Sequence, residues 1–311
     1  MFFWIPARSC DVMSFFRLSR KRKEALVNTL DIRKVEEVVT GRETRDGAGV
    51  RLVRVFGRDD TDRFDPFLMM DAFDNENPDD YIRGFPWHPH RGIETITYLI
   101  EGNVEHGDSL GNKGNIRNGD CQWMTAGSGI IHQEMPQPPG KMLGVQIWLN
   151  LPAAEKMAQP AYGDILARDV PIIEDRGCEI RLVAGEHKGV RGAFEGRYVK
   201  PVFMDVIVPP KTTWTLDTEP EDTLYTYIFS GSGQFNPGST ESTGPKNALL
   251  FTPGGRFQVV SDEDPLRFIL LSGPRLNEPV AWGGPIVMNT KAELDLAFRE
   301  LDEGTFIKHR I

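Results

Sequence analysis

Short runs of β-branched and aromatic residues, separated by glycine and proline, recur along the chain from about residue 35 onward. Such runs are typical of β-strands that end at turns. The clearest predicted strands are Arg51–Phe56, Ile93–Ile100, Phe203–Val208, Leu224–Phe229, Ala248–Phe251 and Phe268–Leu271. Many short strands with turn residues between them predict an all-β fold of closed or double-sheet barrels.

The most regular alternation lies in residues 143 to 149. Every second residue there is apolar, namely Leu143, Val145, Ile147 and Leu149. Between them stand Gly144, Gln146 and Trp148. A period of two predicts a half-buried strand, with one face in the core and the other outside it.

The last part of the chain has a helical pattern instead. Thr290 precedes Glu293 by three residues, which is the spacing of a capping box at the start of a helix. Three apolar residues then recur at helical spacing, namely Leu294, Phe298 and Leu301. We predict a C-terminal helix that ends before Gly304 and packs its apolar stripe on the core.

Length, charge and cysteine content narrow the class of protein. The chain has 311 residues, which is long for one domain, so we predict two. Its 45 acidic side chains outnumber the 36 basic ones and give a net charge of -9, which argues against a broad nucleic-acid-binding surface. Cys10, Cys121 and Cys178 are far apart and odd in number, so they predict no disulfide framework. A cytoplasmic protein fits these features, or a nuclear one in a eukaryote.

Residues 1 to 31 differ from the rest of the chain. The apolar run Met1–Ile5 is too short for a signal peptide or a membrane span. The basic cluster Arg20–Lys23 is typical of a solvated surface. Met13 could also be the true start. We expect a flexible N-terminal extension and no membrane segment.

Two short patterns of metal-ligating residues stand in the first half of the chain. They are His88-Pro89-His90 and His132-Gln133-Glu134. Residues two apart in an extended strand point to the same face, so each pattern can direct two donors to one point. Three imidazoles and a carboxylate suit a divalent first-row transition metal better than calcium or magnesium, which prefer oxygen ligands.

These patterns lie inside longer motifs. Residues 84 to 102 resemble the first cupin motif, and residues 119 to 132 resemble the second. A wider resemblance is to the pirin family, and the segments that carry it are Asp65–Asp71, Phe85–Thr95, Gly119–Gly127, Gly129–Pro136 and Gly284–Thr290. The resemblance covers roughly residues 32 to 305, whereas residues 1 to 31 have no counterpart in the family.

The pirin resemblance implies a bicupin, that is, two stacked cupin (jelly-roll) β-barrels with a C-terminal helix. Residues 32–160 would form the N-terminal, metal-binding barrel. Residues 161–311 would form the C-terminal barrel, with the helix and without a metal.

The resemblance also implies a ligand set. The four metal ligands of the family fall on His88, His90, His132 and Glu134. The expected metal is iron as Fe(II), with manganese, nickel, copper, cobalt and zinc as alternatives. Glu94 stays open as the carboxylate ligand, because it shares the parity of the two histidines on the first strand.

The activity implied by the resemblance is a flavonol 2,3-dioxygenase of the quercetinase type. It would take dioxygen and a small planar aromatic substrate such as quercetin, and Glu134 would accept the hydroxyl proton of the substrate. Phe85, Trp123 and Met124 flank the ligand motifs and could line an apolar substrate pocket. The open alternative is a non-enzymatic redox- or metal-dependent regulator that binds a transcription factor or a metabolic enzyme. In either case we expect a monomer.

Overall fold

The computed structural model describes residues 31 to 138 and 140 to 309. Apart from residue 31, the predicted N-terminal extension lies outside the described residues, and so does the alternative start at Met13. Across the described part of the chain, no helix has both the length and the apolar character that crossing a membrane requires.

The described residues form a protein made mostly of β-strands. The strands of the first half are β1 (Val35–Thr40), β2 (Arg42–Asp46), β3 (Val50–Phe56), β4 (Phe67–Asn75), β5 (Phe85–His90), β6 (Ile93–Glu101), β7 (Asn103–Asp108), β8 (Lys113–Arg117), β9 (Cys121–Thr125), β10 (Ile130–Pro136), β11 (Met142–Asn150) and β12 (Ala161–Ile165). Those of the second half are β13 (Ile172–Asp175), β14 (Cys178–Ala184), β15 (Glu186–His187), β16 (Val190–Arg191), β17 (Val202–Val208), β18 (Thr213–Asp217), β19 (Thr223–Ser230), β20 (Gly233–Gln234), β21 (Asn247–Phe251), β22 (Arg256–Ser261), β23 (Leu266–Gly273), β24 (Ala281–Gly283) and β25 (Ile286–Met288). The α-helices are α1 (Thr61–Phe64) and α2 (Lys291–Asp302), and short 3-10 helices lie at Arg58–Asp60, Pro78–Asp80, Ala153–Glu155 and Ala167–Asp169.

Two barrels account for most of these strands. The first combines a sheet in the order β12-β9-β6-β11-β4-β3-β2 with a smaller sheet in the order β5-β10-β7-β8. The second combines a sheet in the order β1-β21-β19-β23-β17-β14-β13 with the sheet β18-β22-β20. The predicted all-β bicupin with a C-terminal helix is confirmed, and each predicted strand lies within an observed one.

The two seven-stranded sheets pack against each other through a core of apolar side chains. It includes Tyr98 and Ile147 from the first barrel and Phe203, Tyr225 and Ile269 from the second. Each sheet therefore has one face in its own barrel and the other face between the barrels. Strands that are buried on both faces need apolar residues at nearly every position.

The prediction of a half-buried strand at residues 143 to 149 was wrong for this reason. Almost all residues of β11 are buried, on both faces. Val145, Ile147 and Leu149 lie in the core between the barrels. Trp148 belongs to a separate cluster inside the first barrel. The more polar side of the alternation faces the barrel interior, where a site can form, and does not face solvent.

The chain crosses between the barrels more than once. Strand β1 pairs with β21 of the second barrel, although it precedes the whole first barrel in sequence. Strand β12 pairs with β9 of the first barrel. After the second barrel, Ile286 in β25 forms a bridge with Arg91, which follows β5. No single cut along the chain therefore separates the two barrels.

The C-terminal helix begins as predicted. Thr290 and Glu293 form a reciprocal capping box at the start of α2. Such a box satisfies two backbone donors that a helix otherwise leaves without partners. Leu294 and Leu301 of the predicted stripe pack against a small core that contains Ile286 and Phe306. The helix is thus attached beside the first barrel.

A buried polar contact connects the two large sheets. The hydroxyl group of Tyr98 in β6 donates to Oδ2 of Asp205 in β17 at 2.7 Å. Asp205 also accepts from Nε and Nη2 of Arg267 at 3.1 and 2.6 Å. Burial, and then the nearby Asp205 carboxylate, raise the pKa of Tyr98 well above its usual value. The phenol therefore stays protonated and keeps its donor.

We expect Tyr98→Phe to lower the free energy of unfolding by about 2 kcal/mol, because a hydrogen bond to a buried carboxylate is lost. The matched control is Tyr225→Phe. The Tyr225 hydroxyl group is equally buried but has no partner among the described residues, so its loss should cost little. Thermal or denaturant unfolding of both variants measures the difference. Equal losses in the two variants would contradict a stabilising role for the Tyr98–Asp205 contact.

Candidate metal centre

Three of the predicted ligands meet inside the first barrel. Strands β5 and β10 are antiparallel neighbours, and their register places His132 opposite His88. His88 and His90 are two apart on β5, so both rings face the same side. One ring nitrogen from each of the three histidines lies within 4.8 Å of the others. Pro89 does not break this arrangement, because β5 is an edge strand and the proline needs no ladder donor there.

The hydrogen bonds of His88 and His90 show which nitrogen of each ring is free. Nδ1 of His88 lies 2.9 Å from the carbonyl oxygen of Pro86, and Nδ1 of His90 lies 3.0 Å from that of Pro285. A carbonyl oxygen only accepts, so each Nδ1 carries a proton, and Nε2 is the nitrogen of each ring that can bind a metal. The two Nε2 atoms are 3.1 Å apart. At this distance they can share one proton or coordinate one metal ion.

His132 supplies the third nitrogen. It is fully buried, and neither of its ring nitrogens has a hydrogen-bond partner among the described residues. Burial lowers the pKa of His132 and of His90 well below the usual value for histidine, and the neighbouring imidazoles contribute. Neutral imidazole is the form that binds metals. Unpartnered buried nitrogens and bare lone pairs at one point fit a divalent transition metal.

Glu134 lies beside the histidines. The register of β5 and β10 shifts between His132 and Glu134. Such a bulge can change the direction of a side chain next to a site. Oε2 of Glu134 is 4.0 Å from Nε2 of His132. The carboxylate accepts from Thr97 at Oε1 and from Gln146 at Oε2, each at 3.0 Å. Each carboxylate oxygen has two lone pairs, so both keep one for a metal or a proton.

Glu94, the alternative carboxylate, has a different environment. Its Oε2 accepts from Nε1 of Trp123 at 3.0 Å, and its Oε1 accepts from Oγ1 of Thr125 at 2.6 Å. Burial raises the pKa of Glu94. Thr97, which contacts Glu134, has the opposite parity on β6, so Glu94 points to the other face of the sheet. These contacts favour Glu134 over Glu94 as a ligand.

The three predicted pocket residues have different positions. Phe85 is partly buried, lines a cleft at the histidines and packs edge-on against Phe73, with ring centroids 6.3 Å apart. Met124 is fully buried in the apolar cluster inside the first barrel. Trp123 stacks on Phe194 at 4.6 Å in the core between the barrels. We therefore leave Trp123 out of the proposed site.

The cleft reaches His88 and His90 from outside and has a volume of about 1190 Å³. Near the histidines it is lined by Met69, Gln146, Trp148 and Trp282. None of these four residues was predicted from the sequence to belong to the site. For Gln146 and Trp148 a signal was present, because both lie on the face of β11 that interrupts the apolar alternation.

A segment far away in sequence holds the loop that follows His90. The guanidinium group of Arg91 is buried and donates to the carbonyl oxygens of Ser128 and Phe306, at 2.7 and 2.8 Å. It also donates to Oε2 of Glu300 in α2 at 2.7 Å. Together with the contact between His90 and Pro285, these bonds connect the C-terminal segment to a candidate ligand.

Lys156 adds a second attachment of the same kind. Its Nζ donates to the carbonyl oxygens of Gly92 and Val287, at 2.8 and 3.0 Å, and to Oδ1 of Asn150 at 2.5 Å. Three acceptors satisfy all three N–H bonds of an ammonium group. Burial nevertheless lowers the pKa of Lys156 to about 7. The buried donors of Arg91 and Lys156 thus attach the C-terminal segment to the first barrel.

Comparison with known proteins places the chain in a family. The sequence pattern named Pirin matches residues 49–149, and that of the Pirin C-terminal cupin domain matches residues 203–307. A pirin-like protein from Caulobacter vibrioides is 38% identical over 280 residues, which cover 89% of this chain and 100% of that protein. The chain belongs to the pirin family. A pirin-like protein from Solanum lycopersicum is also 38% identical, over 273 residues that cover 88% of this chain and 92% of its own.

Solved structures agree with the pirin fold. Quercetin 2,3-dioxygenase from Acinetobacter baumannii superimposes with a TM-score of 0.80 at 31% identity, covering 88% of this chain and 98% of that one. A bacterial pirin from Escherichia coli, solved in complex with nickel(II), has a TM-score of 0.60 at 19% identity and covers 77% of this chain and 99% of its own. The second likeness concerns the fold alone.

We expect a divalent metal to stabilise this pirin against unfolding. Nickel(II) at a concentration 100-fold above its Kd should add about 2.7 kcal/mol to the free energy of unfolding, because it binds only the folded state. His132→Ala should remove this effect. His187→Ala is the matched control, since it changes a buried histidine outside the first barrel, one that contacts Asp175 at the end of β13. Melting curves of the metal-stripped proteins with and without nickel(II) provide the measurement, and a response retained in His132→Ala would exclude the site.

The two candidate carboxylates can be separated by the same metal. We expect Glu134→Gln to weaken nickel(II) binding at least about tenfold, because a charged candidate ligand is replaced by a neutral amide. Glu94→Gln should leave the affinity within about twofold, because Glu94 points to the other face of the sheet, where it contacts Trp123 in the core between the barrels. Titration calorimetry of both variants measures this. The reverse pattern would identify Glu94 as the ligand.

Proposed function

We propose that this protein is a metal-dependent dioxygenase that acts on flavonols such as quercetin. One observation carries the proposal: ring nitrogens of three histidines lie within 4.8 Å of one another, two of these histidines line a cleft of about 1190 Å³, and the buried carboxylate of Glu134 lies 4.0 Å from Nε2 of His132. The likeness to a quercetin 2,3-dioxygenase over 88% of the chain supports the substrate class.

In this proposal Nε2 of His88, Nε2 of His90, a ring nitrogen of His132 and one oxygen of Glu134 hold the metal. Iron as Fe(II) is the proposed ion, because imidazole and carboxylate ligands together suit it. When bound, the ion supplies a Lewis acid for the 3-hydroxyl group of the flavonol and a redox centre for dioxygen. The contacts of His88 and His90 to carbonyl oxygens fix both rings and raise the basicity of each Nε2.

Glu134 has a second role in the proposal. A flavonol reacts through its deprotonated 3-hydroxyl group, so a base must take that proton. Oε2 of Glu134 lies 4.0 Å from Nε2 of His132, and both carboxylate oxygens keep a free lone pair. Thr97 and Gln146 hold it from two sides, which limits its rotation and directs its remaining lone pairs.

The side chains that line the cleft near the histidines also suit a flavonol. Met69 and Trp148 are largely buried and present apolar surface next to His90. Apolar walls exclude water from the reacting atoms and suit a planar aromatic ring. Gln146 lines the cleft near the histidines and donates to Glu134, so it forms the polar end of the cleft. This division between apolar walls and a polar end fits a flavonol that enters with its hydroxyl group first.

The test is dioxygen consumption and carbon monoxide release by Fe(II)-reconstituted protein with quercetin in air. We expect turnover in the wild-type protein and at least a 100-fold loss in His132→Ala, because the metal ligand is gone. Metal content is measured in both samples. Quercetin left intact by protein with a full complement of iron would overturn the proposal and favour the regulatory alternative.

A further inference from the structure

Two indole side chains extend from the histidines along one wall of the cleft. The ring of Trp148 lies 5.0 Å from that of His90, between centroids, and is nearly perpendicular to it. The ring of Trp282 lies 5.5 Å from that of Trp148, at an interplanar angle of 32°. Trp282 is therefore two ring contacts away from a candidate ligand.

Trp282 is held in a fixed orientation. It belongs to the short strand β24, which pairs with β25. Its Nε1 donates to the carbonyl oxygen of Gly284 at 2.8 Å. The polar edge of the indole is therefore already occupied. What remains for a ligand is the ring surface, and Trp282 is only partly buried and lines the cleft.

Charged side chains line another part of the cleft. Arg54 donates to both carboxylate oxygens of Asp71, at 2.9 and 2.8 Å, and also to Asp46. These residues line the cleft, and so do Arg58 and Asp59. Paired charges offer no flat apolar surface on which the ring system of a planar aromatic ligand can stack. The tryptophan wall is the side on which such a ligand can stack.

The cleft is larger than a typical ligand pocket, so a ligand needs a further surface that holds it in one orientation. Ligand pockets commonly have volumes of about 300 to 1,000 Å³, and this cleft has about 1190 Å³. The histidines and Glu134 contact only the reacting end of a flavonol. A second fixed surface is needed to hold the rest of the ring system in one orientation, because positioning contributes strongly to rate.

We propose that Trp282 is a specificity-determining residue whose indole face stacks on the planar ring system of the flavonol. The substrate class rests on the proposed function above. Trp148 lies between His90 and Trp282 and sets the distance of the Trp282 indole ring from the histidines. A residue that follows the second barrel in sequence thus determines the substrate specificity of a site in the first barrel.

The test measures quercetin binding without turnover. Zinc(II)-loaded wild-type protein and variants are titrated with quercetin by calorimetry. Trp282→Ala is expected to raise the Kd roughly tenfold, since it removes both stacking and buried aromatic area. Trp282→Phe should stay within about threefold of wild type, because a flat ring remains. Zinc content is measured in every sample to exclude loss of the metal.

Two controls make the result specific. Trp87→Ala changes a tryptophan that lies 54% exposed in a separate surface groove, so it should leave the Kd unchanged. Dihydroquercetin keeps the hydroxyl groups but has a saturated bond in its central ring, so it is not flat. Wild-type protein should prefer quercetin over dihydroquercetin. In Trp282→Ala this preference should fall by about the same factor as the affinity for quercetin.

The outcomes separate this proposal from the proposed function. An unchanged Kd in Trp282→Ala overturns the stacking proposal, and so does a wild-type protein that does not bind quercetin. Wild-type protein that binds quercetin through Trp282 but leaves it intact with Fe(II) and air supports the stacking role and overturns only the dioxygenase activity.

Discussion

The packing of the two seven-stranded sheets against each other is the constraint on which the rest of the structure depends. It buries both faces of the central strands, so the buried residues of β6, β9 and β11 point either into the first barrel or toward the second. Chemically similar side chains therefore have different roles, according to the face of the sheet on which they lie. Glu134 accompanies the histidines, whereas Glu94 is enclosed with Trp123 in the core between the barrels. A carboxylate there serves packing and hydrogen bonding, and it is closed to a substrate.

The metal centre combines parts of the chain that are far apart in sequence. Two candidate histidine ligands come from an edge strand, and the third comes with Glu134 from its neighbour, so the ladder between β5 and β10 sets their spacing. The orientation of His90 depends on the carbonyl oxygen of Pro285, which lies 195 residues later. Arg91 and Lys156 attach the same C-terminal segment to the loop after His90. The site thus belongs to the first barrel but is completed by residues that follow the second.

The interior of the first barrel is more polar than that of the second for a physical reason. The second barrel is filled by apolar side chains, among them Trp214, Phe257 and Phe268, which leave no cluster of ligating groups there in the described residues. The first barrel buries histidines whose burial keeps them neutral. Buried polar groups without partners are costly. A bound cation would remove that cost, so we expect metal binding to stabilise the folded state of the first barrel.

The sequence by itself determined the fold class and three of the residues that meet at the site, since strand periodicity places His88 and His90 on one face and the turn residues delimit the strands. It also determined the C-terminal helix, because capping is a local interaction between Thr290 and Glu293. Only the tertiary structure decided which face of β11 lies inside the first barrel and which lies between the barrels, because the packing of the two sheets buries both faces. It alone brought Trp282 and Pro285 to the cleft, since long-range contacts between segments leave no local pattern in the chain.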